Sequence, residues 1–66
     1  MSRDNLQARG NVIELLSDGV YRVELPNGHR CIARAGKEDS TMYRLGDSVL
    51  VAFHPYDLSR ARIVRE

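Results

Sequence analysis

Residues 20–35 read Val20-Tyr21-Arg22-Val23-Glu24-Leu25-Pro26-Asn27-Gly28-His29-Arg30-Cys31-Ile32-Ala33-Arg34-Ala35, and this stretch decides the fold. From Val20 to Leu25 the chain alternates cleanly. Tyr21, Val23 and Leu25 share one face while Arg22 and Glu24 point the other way, which is the two-residue period of a half-buried strand. Pro26-Asn27-Gly28 follows, and Asn-Gly between apolar runs is the strongest short hairpin signal. His29 to Ala35 is then the returning strand, with Cys31 and Ala33 on one face and Arg30, Ile32 and Arg34 on the other. A tight turn at Asn27-Gly28 makes the two strands antiparallel neighbours, so the chain is built from strands.

Upstream, the run from Gly10 to Leu16 alternates imperfectly, because Val12 and Ile13 are adjacent, as are Leu15 and Leu16. A bent or bulged strand accounts for such doublets. Ser17-Asp18-Gly19 supplies the turn into Val20. Downstream, residues 36–44 break the alternation and predict a loop or one helical turn. Leu45-Gly46-Asp47 is a turn into Ser48 to Phe53, where Val49, Val51 and Phe53 share a face. Pro55-Tyr56-Asp57 ends that strand, and Arg60 to Arg65 forms a last one with Ile63 inward. Five strands, one hairpin and a longer insert between the third and fourth predict an all-β, five-stranded OB-fold closed barrel. By pattern alone an SH3-like barrel has a similar strand count.

Sixty-six residues hold one core, so residues 1–66 form a single domain. With one cysteine, Cys31, no internal disulfide is available, and Cys31, His29 and His54 lack the paired spacing of a zinc site. No metal or cofactor is expected, and stability rests on packing. Closing the sheet suits a small core, since every strand then has two neighbours and no free edge. No stretch approaches the ~20 apolar residues that span a bilayer. The polar start, Met1-Ser2-Arg3-Asp4-Asn5, lacks the apolar segment of a signal peptide, and a cytoplasmic location is expected.

The net charge of +1 is itself weak evidence for a nucleic-acid partner; its distribution says more. Arg30 and Arg34 share an outward face with no acid between them, and Arg22 on the paired strand can join them. Arg60, Arg62 and Arg65 crowd the last segment against Glu66 alone. Folding that joins these segments makes a basic face. RNA contact needs cations for phosphate and flat groups for stacking, and the guanidinium serves both. Scattered solvated charge, paired with Glu24 or Asp57, is the plain alternative. Tyr43, in the polar loop beside Arg44, is a candidate to stack on a base. Tyr56 is expected to pack on the barrel end, Tyr21 and Phe53 in the core, and Asp57 to tie down its turn. Catalysis has little to work with. His29, Cys31 and Asp57 are the only conceivable nucleophile–base set, Cys31 faces the core, and no glycine loop cradles phosphate.

Two segments go further than fold class. Tyr21-Arg22-Val23-Glu24-Leu25-Pro26-Asn27-Gly28-His29 resembles the strand–hairpin signature of the bacterial translation initiation factor one family. Gly46-Asp47-Ser48-Val49, followed by Pro55-Tyr56-Asp57-Leu58-Ser59-Arg60-Ala61-Arg62-Ile63-Val64, resembles that family's C-terminal half. Asp4-Asn5 and the Gly10–Val12 pair also match, so the resemblance covers nearly the whole chain. It implies an S1-like OB fold, no catalytic activity, and binding of ribosomal RNA at the aminoacyl-tRNA (decoding) site of the small ribosomal subunit. It also implies exclusion of elongator tRNA and action alongside initiation factors two and three; a monomer without membrane attachment is the default expectation. The matching basic positions are His29, Lys37, Arg44, Arg60 and Arg62. Arg30, Arg34, Arg65 and Tyr43 join the expected RNA-binding set from their face and location.

The chain departs from the family after Gly36-Lys37, where a basic run is replaced by the shorter, acidic Glu38-Asp39-Ser40-Thr41; carboxylates near phosphates disfavour binding. The family glycine before Arg-Ile is Ala61 here, which bears on any positive φ at that point. A general single-stranded RNA binder or chaperone, and a protein–protein adaptor, are the alternative functions.

Overall fold

A computed structural model describes residues 6–36, 42–54 and 56–64. Five strands follow one another along the chain: β1 (Leu6–Ser17), β2 (Val20–Glu24), β3 (Arg30–Arg34), β4 (Ser48–His54) and β5 (Asp57–Val64). They close into a barrel in the order β1-β2-β3-β5-β4. All neighbours are antiparallel except β3 and β5, which run parallel. The expected five-stranded OB barrel is the fold this chain adopts. No helical turn forms in the described parts of the β3–β4 connection, residues 35–36 and 42–47. No helix among the described residues is long and apolar enough to cross a membrane.

β1 closes the barrel by serving two partners, its first half pairing with β4 and its second with β2. A strand that changes partner must coil, and the apolar doublets mark where it does so. Register shifts fall between Val12 and Glu14 and between Leu15 and Ser17, at Ile13 and Leu16, the second member of each doublet. Gly10 supplies the remaining room. A Cβ there would stand 2.6 Å from Val23 Cγ1 and 2.7 Å from the Glu24 carbonyl oxygen, so only glycine lets β1 cross β2 this closely.

Sequence reading placed the start of β1 at Gly10, four residues too late. Leu6-Gln7-Ala8-Arg9 has a weak pattern of its own and becomes strand by pairing with residues 50–53 of β4. β5 likewise begins at Asp57 rather than Arg60. The β2–β3 hairpin also differs from expectation. The Gly28 N–H donates to the Leu25 carbonyl at 2.9 Å, and the Leu25 N–H to the His29 carbonyl at 2.7 Å. Gly28 has φ 89° whereas Asn27 has no positive φ. The loop is therefore three residues, Pro26-Asn27-Gly28, a turn closed by a left-handed glycine, and not the two-residue turn that needs positive φ at both centres. Proline's fixed φ favours it at the first central position. The Asn27 Oδ1 accepts the His29 N–H at 2.9 Å and completes the turn.

The interior is made of the inward residues the alternation marks: Tyr21, Val23 and Leu25 from β2 and its end, Cys31 and Ala33 from β3, Val49, Val51 and Phe53 from β4, with Val12 and Ile63. Each such burial contributes ~1.5–3 kcal/mol for the larger side chains, opposed by the entropy of ordering the chain. Tyr43 caps this core from the loop. Its ring meets Tyr21 edge-on at 5.6 Å between centroids, and its N–H donates to the Tyr21 hydroxyl at 3.3 Å. The Tyr21 hydroxyl is thus satisfied inside the barrel, and no buried side-chain polar atom among the described residues lacks a partner.

Candidate nucleic-acid interface

The parallel contact between β3 and β5 aligns Ile32 with Arg60, Ala33 with Ala61 and Arg34 with Arg62. Ala33 is buried and Ala61 packs against the core, so alternation turns Ile32, Arg34, Arg60 and Arg62 outward together. With Ala35 and Gly36 they line an open groove on the barrel wall. Ala61 has no positive φ and lies within the ladder, so this wall needs no glycine there.

Charge pairing separates the arginines of this wall into two groups. Arg30 Nε donates to Glu24 Oε2 at 3.3 Å, and Arg22 Nη1 stands 3.4 Å from Glu14 Oε1. Those two cations are largely offset by their strand neighbours. Arg34, Arg60 and Arg62 form no ion pair with any carboxylate among the described residues. Three guanidinium groups around the exposed Ile32 side chain therefore concentrate positive potential beside an apolar floor. Such a surface suits an anionic polymer, with phosphate oxygens on the arginines and flat groups over the isoleucine. Ile32 was absent from the expected contacts. Its signal was available, since an outward isoleucine between two outward arginines on a strand has no core to fill.

The other expected contact residues lie elsewhere. Arg44 belongs to the turn before β4, where its N–H donates to Asp47 Oδ2 at 2.8 Å and its carbonyl accepts the Asp47 N–H at 3.0 Å. Its side chain is exposed, on a turn docked to β1 through the Gly46 N–H and the Val12 carbonyl. His29 lies just before β3, half-buried, with Nε2 2.8 Å from the Leu58 carbonyl oxygen. This contact ties the hairpin to the start of β5, so the ring is engaged in holding the barrel edge. Tyr43 is half-buried, its ring edge-on to Tyr21 at the end of the core. Lys37 and Arg65, and the acidic pair Glu38-Asp39, lie outside the described residues.

Tyr56 overturns its expectation. It does not pack on the barrel end: its side chain is 97% exposed. The following residue behaves as expected, Asp57 Oδ1 accepting the Ser59 hydroxyl at 2.7 Å and the Ser59 N–H at 3.2 Å. These two bonds, helped by the Arg60 charge, hold the Asp57 carboxyl below the usual carboxylate range. Cys31 is buried, and burial pushes its thiol pKa up, the opposite of what a nucleophile needs. Among the described residues no group of histidine, cysteine and acid side chains is arranged to hold a metal ion.

No family model matches the sequence. The fold is that of a solved protein, the solution structure of translation initiation factor one from the Wolbachia endosymbiont strain TRS of Brugia malayi. The two superpose with a TM-score of 0.76 at 30% sequence identity, over 98% of this chain and 80% of that one. The chain belongs to the translation initiation factor one family. Arg60 and Arg62, expected from the resemblance, stand on the barrel's outer wall, and Arg34, expected from its strand face, stands beside Arg62. Of the other two described positions that the resemblance picks out, His29 contacts the Leu58 carbonyl beside this wall and Arg44 lies on the turn before β4.

Proposed function

We propose that this protein is a translation initiation factor that binds ribosomal RNA at the aminoacyl-tRNA site of the small ribosomal subunit, acting with initiation factors two and three. The observation that carries the RNA contact is the set of three arginines on the β3–β5 wall, Arg34, Arg60 and Arg62, that form no ion pair with a described carboxylate. Family membership supports the ribosome as the place where that wall works. The role is one of docking: a rigid barrel offers fixed cations and a shape, and occupancy excludes other ligands from the same site. The factor works as a monomer, in the cytoplasm where ribosomes are.

The test is a titration of labelled protein with purified bacterial small subunits at two salt concentrations. About four phosphate contacts give a log–log salt slope near −3 on single-stranded RNA. Arg62→Ala or Arg34→Ala weakens binding and flattens that slope, while Arg22→Ala and Arg30→Ala, whose charges are already offset, change both much less. Equal losses from all four variants would show that the wall acts by net charge alone. Binding that unstructured RNA displaces with ease would identify a general single-strand binder instead.

A further inference from the structure

Tyr56 is the one described tyrosine whose ring packs on nothing; Tyr21 is buried and Tyr43 lies edge-on against it. An amphipathic ring held wholly in water forgoes the burial that normally places tyrosine inside, and such rings serve recognition. The residues that follow Tyr56 are anchored. His54 pairs with Asp57 immediately beside it, Ser59 bonds fix Asp57, and the His29 contact fixes Leu58.

After Tyr56, β5 carries an outward row at every second residue: Leu58, then Arg60, then Arg62. Steps of ~6.6 Å separate neighbours in the row. Leu58 is exposed, and Ile32 and Arg34 of β3 stand in register with Arg60 and Arg62. The row is therefore polarised. One end is cationic and apolar by turns. The other end carries an aromatic ring next to the ionised Asp57 carboxylate, where a phosphate is unwelcome but the neutral face of a base is not.

We infer that β5 is a directional track for an unpaired RNA strand, with phosphates on Arg34, Arg60 and Arg62, an apolar bed at Ile32 and Leu58, and one base stacked on Tyr56. A double helix keeps its base faces inside the stack, so the ring selects unpaired nucleotides. This inference rests on the proposed RNA-binding function and adds the form of RNA that the wall takes.

The two ends of the track separate experimentally, because stacking is insensitive to salt and phosphate contact is not. Y56A, Y56F, Y56L and R62A are titrated with purified small subunits at about 50 and 200 mM salt. Y56A weakens binding about tenfold at both salts with its log–log slope unchanged, within the range of base–aromatic stacking. Y56F binds within about twofold of the parent, because it keeps the π-face, whereas Y56L behaves like Y56A. R62A instead flattens the slope by about 0.7. The exposed ring leaves the thermal midpoint of all three Tyr56 variants at the parent value. If Y56A binds like the parent while R62A weakens binding, the stacking inference is wrong and the RNA-binding function stands. Should Y56L match Y56F, the ring is an apolar contact and no base stacks on it. If the parent itself does not bind small subunits, the proposed function fails, and this inference with it.

Discussion

Replacing Gly10 with alanine adds one methyl group at the most crowded point of the barrel. The new Cβ would lie 2.6 Å from Val23 Cγ1, 2.7 Å from the Glu24 carbonyl oxygen and 3.0 Å from Leu25 Cδ2. Carbon atoms in contact rest at ~3.5–4.0 Å, so neither of the first two distances can persist. Val23 is completely buried and has no space to turn into. The Glu24 carbonyl is backbone, in a residue paired with Asn11 on one side and Arg30 on the other. Moving it from 2.7 Å to an ordinary ~3.4 Å draws β2 away from β1 and stretches a ladder bond beyond useful length. Overpacking of this kind costs ~1–3 kcal/mol and the impaired hydrogen bond about 1 more, or roughly 2–4 kcal/mol together. A domain of this size has about 3–10 kcal/mol of stability in total, so the loss is a large share of it. At ~4–8 °C per kcal/mol the thermal midpoint falls by at least about 8 °C. Circular dichroism melts of Gly10→Ala and Gly36→Ala provide the measurement and its control. A Cβ at Gly36 meets nothing within 4 Å, and that midpoint should stay close to the parent's. A Gly10→Ala melt within about 2 °C of the parent would mean that β1 does not cross β2 as closely as described.

Two further outcomes follow from single contacts. His29→Ala removes the bond to the Leu58 carbonyl and costs about 0.5–1.5 kcal/mol, with faster amide exchange at the start of β5; an unchanged melt would free His29 for direct RNA contact. Cys31, buried with its thiol pKa raised, should react with a thiol reagent only at the rate of unfolding. Because burial favours the neutral thiol in the fold, its contribution is complete below the ordinary thiol range and is lost as pH rises through the raised value. Cys31→Ser, also neutral there, lacks that alkaline loss, and identical pH–stability curves for the two proteins would contradict the burial.

Much of the barrel is legible along the chain because it depends on short-range sterics. The two-residue period sorts Tyr21, Val23, Cys31 and Ala33 from Arg22, Arg30, Ile32 and Arg34, and the structure keeps every one of those sides. The doublets Val12-Ile13 and Leu15-Leu16 mark the bulges, because a break in the two-residue period accompanies an extra residue in the strand. Asp57 binds Ser59 two residues on, a contact that local geometry alone provides. The start of β1 was not legible for the converse reason. Leu6 to Arg9 carries little pattern, and strand there is imposed by β4 from more than forty positions away.

The candidate site divides in the same way. Sequence by itself determined that Arg34, Arg60 and Arg62 point outward, because each alternates with an inward alanine or isoleucine at strand spacing. It also pointed to the family, through the resemblance carried by the Tyr21–His29 and Pro55–Val64 segments, which the solved structure of a family member bears out. Only the tertiary structure decided that β3 and β5 lie parallel and adjacent, which joins Arg34 to Arg62 across the barrel's closure. Only it decided which cations are neutralised, with Glu14 offsetting Arg22 and Glu24 offsetting Arg30, and which rings are held, with Tyr43 against Tyr21 and Tyr56 left in water. The physical reason is range. Which way a side chain points follows from the backbone a residue or two away, whereas what it meets depends on how distant strands come together when the barrel closes.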